Sequence, residues 1–107
     1  MNTSYNKYDS IEKLIFDEGL RIKSVEIDAP NDKMVVFLNR DVTFIVRLSY
    51  YKRLKTAITA SLLDYRLIAN GTGIHWPVLD EDLSLKGFIE DFIRSKIEGG
   101  EKKLVIA

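Results

Sequence analysis

The sequence predicts an α+β domain, a mainly antiparallel sheet of three to five strands with a short N-terminal helix, a middle helix and a longer C-terminal amphipathic helix packed on it. Three observations carry this expectation. Residues 20–49 hold three apolar runs separated only by tight turn signals, and strands joined so briefly are antiparallel neighbours. Residues 84–98 instead space their apolar side chains at the helical period. The 107 residues suit one domain and leave no room for two, so 1–107 is taken as a single domain, with 1–8 and 99–107 flexible or peripheral.

Taken in order, Asp9 followed by Glu12 makes a capping box with Asp in place of the usual Ser or Thr. Ile11, Leu14 and Ile15 form the apolar stripe of the first helix, and Gly19 is placed to end it. In the strand over 20–29, the alternation of Leu20, Ile22, Val25 and Ile27 slips phase near Ser24, which predicts a bulge. Pro30-Asn31-Asp32 turns the chain into 33–38, whose apolar residues on both faces suggest a covered central strand. Asn39-Arg40-Asp41 turns it again, and Val42, Phe44, Val46 and Leu48 then alternate with more polar neighbours. The stretch 50–64 has no Gly or Pro and is expected to be helical. Tyr65-Arg66-Leu67-Ile68 and Ile74-His75-Trp76 flank Asn70-Gly71-Thr72-Gly73 as a hairpin. Beyond an acidic loop, Ser84 caps a helix whose apolar face runs from Leu85 through Phe88, Ile89, Phe92 and Ile93 to Ile97, ended by Gly99-Gly100. The apolar tail 104–106 is expected to add a strand, to this sheet or to a partner's.

Composition removes several classes of function. Sixteen basic residues balance sixteen acidic ones, which argues against a domain whose affinity for DNA comes from neutralising phosphates. Without cysteine there is no disulfide, thiolate nucleophile or cysteine-bound zinc. The polar N-terminus lacks the apolar core of a signal peptide, and no apolar run approaches the roughly 20 residues that span a bilayer. A cytoplasmic protein without membrane contact is the expectation.

Two segments carry the residues of chemical interest. Gly71 to Pro77 with Asp80-Glu81-Asp82 holds the only histidine and the only tryptophan. His75 with these acids could ligate a hydrolytic metal, yet a catalytic zinc usually takes three protein ligands and more than one histidine. The simpler reading turns Ile74 and Trp76 inward and His75 outward, lets Pro77 stop the strand, and places the acids before a helix N-terminus. Gly71, Gly73, Trp76 and Pro77 are then structural. A calcium loop fails because Leu85 stands where the glycine is needed. Gly71-Thr72-Gly73 has no following lysine and is no phosphate loop, and no serine lies in a nucleophile elbow. The second segment, Arg47 with Tyr50, Tyr51, Lys52, Arg53 and Lys55, interleaves cations with aromatic rings. That pattern suits nucleic acid, and equally an acidic protein partner.

Leu48-Ser49-Tyr50-Tyr51, Arg53-Leu54 and Ala57, then Tyr65-Arg66-Leu67-Ile68, Gly71, Gly73-Ile74-His75-Trp76-Pro77 and Leu79 to Leu85 with Gly87, resemble the bacterial domain family of unknown function numbered 2442, over roughly residues 20–90. Asn39-Arg40-Asp41 replaces the Asp-Gly turn common there, and Lys52 replaces a proline. The resemblance implies a small α+β domain with no defined catalytic residues. It also implies one half of a two-gene arrangement similar to toxin–antitoxin pairs.

The functional expectation is therefore a non-catalytic, protein-binding or regulatory module without cofactor or metal. Its partner would be another small protein, with a homodimer as a further option. Tyr50, Tyr51, Arg53, Lys55, His75, Asp80, Glu81 and Asp82 are the candidate contact residues. A nucleic-acid-binding regulator using Tyr50 to Lys55 and a metal-dependent hydrolase at His75 are the alternatives.

Overall fold

A computed structural model describes residues 7–98 and, for the backbone, 104–106. The expected flexible ends fall largely outside the described residues. The fold is α+β, and the described residues form seven strands in two antiparallel sheets. The larger has the order β1-β2-β3-β7, from Ile22–Asp28, Lys33–Leu38, Thr43–Arg47 and Leu104–Ile106. The smaller has the order β4-β5-β6, from Arg66–Ile68, Gly73–Trp76 and Glu81–Ser84.

The entry to the first sheet follows the sequence closely. Asp9 accepts from the Glu12 N–H at 2.8 Å while Glu12 accepts from the Asp9 N–H at 3.0 Å, completing the capping box of α1 (Ser10–Glu12). The helix continues as a π-helical turn, Lys13–Asp17, and Gly19 leaves it with φ +80°, a left-handed conformation that glycine adopts without steric cost. The register of β1 against β2 shifts between Ile22 and Ser24, so the extra residue lets both Ile22 and Val25 face inward.

β2 departs from expectation. Met34, Val36 and Leu38 are buried, but Lys33, Val35 and Phe37 on the opposite face are only half-buried. The strand is central, yet among the described residues only one of its faces is packed into the core. Phe44 and Val46 continue the inner layer on β3, where the Phe44 ring lies 6.3 Å from those of Phe88 and Phe92 on α4 (Leu85–Glu98).

The expected middle helix is broken. A 3-10 turn at Leu48–Tyr50 leads into α2 (Lys52–Lys55), and α3 (Thr59–Leu63) starts after an interruption at Thr56–Ile58. Ile58 takes the N-cap position of α3 in extended conformation and cannot accept from the backbone as Ser or Asp would. Leu54 and Leu62, both buried, fasten the two short helices separately, so packing overrides the uninterrupted helical pattern.

A second correction concerns the acids. Glu81–Ser84 is strand β6, paired with β5, rather than a loop before a helix. Leu83 lies opposite Ile74 and Asp82 opposite His75, so Leu83 turns to the inner side and Asp82 outward, while Glu81 pairs with Trp76. Ser84 still caps α4, accepting from the Gly87 N–H at 2.9 Å. The apolar face of α4 is shorter than expected. Leu85 and Phe88 are buried, whereas Ile93 and Ile97 are exposed. The tail strand forms as expected and pairs with β3 of the same chain.

Candidate functional site

The β5–β6 hairpin is built from the inside outward. Trp76 and Ile74 are fully buried, and the Trp76 indole N–H donates to the Leu62 carbonyl at 2.9 Å. Tyr65 stands beside it, ring centroids 6.3 Å apart, and its hydroxyl donates to the Val25 carbonyl of the other sheet at 2.8 Å. The two sheets are therefore joined through β5 and its flank. Before β5, Gly71 has φ +81°, and a Cβ there would lie 3.0 Å from the Ile22 carbonyl oxygen. Gly73 leaves room for Ile68, whose side chain a Cβ would meet at 3.2 Å.

With Ile74 inward, His75 must face outward, in one cross-strand row with Arg66 on β4 and Asp82 on β6. His75 Nδ1 is 2.5 Å from Asp82 Oδ1. An ionised carboxylate only accepts, so Nδ1 donates and the ring is oriented by a single acid. Asp80 and Glu81 do not converge on it. Among the described residues no three His, Asp or Glu side chains form a group that could hold a metal ion, so the residues present do not fit the ligand set weighed for a metal-dependent hydrolase.

At the hairpin tip the chain turns from Pro77 to Asp80, whose N–H donates to the Pro77 carbonyl at 3.4 Å. Asp80 has φ +50°, a region where aspartate is tolerated better than branched residues. Its carbonyl accepts a hydrogen bond from Arg53, and its carboxylate lies 3.8 Å from the same guanidinium nitrogen. This contact is absent from any reading of local pattern, and it fuses the two candidate segments. Tyr50 packs edge-on against Tyr51, centroids 5.0 Å apart. Tyr50 is exposed, while Tyr51 turns half-inward against the core. Burial, then the negative charge of Asp91, holds the Tyr51 hydroxyl well above the usual tyrosine range.

The candidates are thus partly assembled. Arg53 meets Asp80 at the hairpin tip and Tyr51 lies within reach of the Glu81 charge, with Tyr50 packed on Tyr51, while His75 with Asp82 forms a row along the hairpin's outer face. Lys55 does not join them. It lines a cleft of about 270 Å³ between Pro30, Leu54 and Thr59. Residues missed from sequence complete the surface. Val78 at the tip is 67% exposed, and Arg66 extends the His75–Asp82 row. Arg66 could have been found by counting back across the hairpin, had the 3-10 turn Ala69–Gly71 been foreseen.

These features define a two-sheet α+β domain with a buttressed hairpin that presents aromatic, apolar and charged groups together. The family described as protein of unknown function (DUF2442) matches residues 22–94, and the chain belongs to it. No curated protein matches. The chain is similar to a solved protein of unknown function from Rhodospirillum rubrum ATCC 11170, at 28% identity and a TM-score of 0.60, over 66% of this chain and 86% of that one. No helix of the described residues is long and apolar enough to cross a membrane.

Proposed function

We propose that this protein is a non-catalytic protein-binding module, the antitoxin-like or regulatory half of a bacterial two-protein system, and that it engages its partner through the β5–β6 hairpin tip. The supporting observation is the Arg53–Asp80 clasp, which merges the aromatic and acidic segments into one surface. Val78 at the tip and Tyr50 beside Tyr51 supply exposed apolar area, the rigid backing of Trp76 limits the ordering cost of binding, and the flanking charges set orientation. The same clasp speaks against the nucleic-acid alternative. Arg53 contacts Asp80, an acid, and Lys55 faces a separate cleft.

Affinity purification of the full chain from its native cell, compared with Val78→Asp and Tyr50→Ala variants, tests the reading. One protein should be retained by the wild type and lost by both variants. Equal retention by all three would assign the contact elsewhere, and binding of RNA or DNA in place of protein would discard the proposal.

A further inference from the structure

The turn that joins β4 to β5 holds two consecutive non-glycine residues in the left-handed region, Ala69 at φ +51° and Asn70 at φ +57°. Asparagine tolerates that region, but alanine has no polar side chain to bond locally and carries the steric cost in full. Thr72 pins the turn by donating twice to the Ala69 carbonyl, from its N–H at 3.2 Å and from its hydroxyl at 2.8 Å. Asn70 stands exposed at the tip, and Gly71 follows it. This is the only Asn-Gly pair in the chain. The three described asparagines also differ in what holds their amides. Asn31 Nδ2 donates to Asp28 at 2.9 Å. Asn39 Nδ2 donates to the Gly19 carbonyl, and its Oδ1 accepts from the Arg21 N–H, both at 2.9 Å. Among the described residues the Asn70 carboxamide has no such partner, so nothing restrains its rotation toward its own backbone.

We propose that Asn70 is a site of spontaneous covalent modification, where the chain converts to aspartate and isoaspartate. The Gly71 nitrogen gives its proton to solvent base and attacks Asn70 Cγ. The Cγ–Nδ2 bond breaks, and ammonia leaves with a proton from water. A five-membered cyclic imide then spans the two residues, and water opens it in either of two ways. Addition at Cγ breaks the new bond to the Gly71 nitrogen and leaves aspartate. Addition at the main-chain carbonyl of Asn70 breaks the original peptide bond and leaves isoaspartate, with the chain running through the former side chain. Nothing is oxidised or reduced, and water is the only co-reactant. Glycine at 71 favours the attack because no side chain shields its nitrogen.

Asn70 has ψ +41° in the folded turn, so the attack follows a local opening that rotates this bond. Strain at Ala69 and Asn70 lowers the cost of that opening. Residues 66–70 are all exposed, so the tip can move without uncovering the core. The product has a structural consequence. Isoaspartate adds a carbon to the main chain immediately before Gly71, where a Cβ would already lie 3.0 Å from the Ile22 carbonyl oxygen of the larger sheet. The lengthened chain disturbs this close approach between the two sheets and lowers stability. None of this rests on the proposed function.

Incubation of the folded full chain for several weeks at physiological temperature and mildly alkaline pH tests the proposal. Peptide mapping by mass spectrometry locates lost amides, and enzymatic methylation of isoaspartate separates the two products. Both products should accumulate at Asn70 at least about tenfold faster than at Asn31 or Asn39, a barrier difference of about 1.4 kcal/mol. The melting temperature of the wild type should fall by several degrees over the same period. Asn70→Gln, which would have to close a larger ring, should keep both its amide and its melting temperature. An intact Asn70 amide overturns the proposal, as does equal conversion at Asn31 and Asn39, or aspartate without isoaspartate. A melting temperature that falls no further in the wild type than in the Asn70→Gln chain overturns it as well.

Discussion

The Trp76 indole N–H and the Leu62 carbonyl, 2.9 Å apart, tie the smaller sheet to α3 inside the core. Removing the ring by Trp76→Ala should cost about 3–5 kcal/mol. Trp76→Phe keeps most of the apolar volume but strands the Leu62 carbonyl, and should cost about 1–3 kcal/mol. Urea unfolding followed by circular dichroism checks both values, since the substitutions remove the only indole reporter.

Arg53 and Asp80 are largely exposed, with side-chain accessibilities of 56% and 94%. Arg53→Ala should therefore change global stability by less than about 1 kcal/mol. Its effect should be local, with faster amide hydrogen exchange at the tip of the β5–β6 hairpin and unchanged exchange in β2. Asp80→Val, which forces a branched side chain to positive φ, should cost about 1–2 kcal/mol, while Asp80→Gly should be nearly neutral.

Gly19 and Gly71 share a left-handed backbone but not the same surroundings. A Cβ at Gly19 meets nothing within 4 Å, whereas at Gly71 it meets the Ile22 carbonyl at 3.0 Å. Gly19→Ala should cost about 1 kcal/mol, the conformational penalty alone. Gly71→Ala should cost more, because the Ile22 backbone must also shift. Thermal melts of the two variants side by side give the comparison.

Lys86 on α4 binds both capping-box acids of α1, Asp9 and Glu12, each at 3.1 Å. The Glu12 N–H, then Lys86, holds the Asp9 carboxyl below its ordinary 3.8. Asp9 thus adds stability above that value and loses it as pH falls through the lowered one. Hydrogen bonding to Asp9 and then Glu12 holds Lys86 above its ordinary 10.5, so its contribution is complete below 10.5 and fades as pH rises through the raised value. Burial of Tyr51 acts in the same alkaline direction, because the unfolded hydroxyl ionises first. Denaturation midpoints should form a plateau between about pH 4 and 10 for these groups. Lys86→Ala should reduce the alkaline slope without abolishing it, leaving the Tyr51 component.

Local pattern was enough for much of the fold. The Asp9 box, the slip near Ser24, the Val42-to-Leu48 alternation and the inward Trp76 all express periodicities of two or 3.6 residues. The break at Ile58 was hidden because nothing in Lys52–Leu63 forbids a continuous helix, and only the separate burial of Leu54 and Leu62 divides it. Strand β6 was masked by its acids, whose charge suggested a helix entrance while Leu83 alone marked the inward face. At the candidate site, the outward position of His75 followed from alternation. The meeting of Arg53 with Asp80, 27 positions apart, depends on tertiary packing that no window of sequence contains.

The pairing of Ile45 with Val105, sixty positions apart, has a consequence for how the chain matures. During synthesis β3 emerges long before β7, so its outer edge stays open while the hairpin and α4 are still being made. An unfilled edge of that kind recruits stray strands from neighbouring nascent chains. Slow translation through residues 50–100 would prolong this exposure, and early chaperone capture would shorten it.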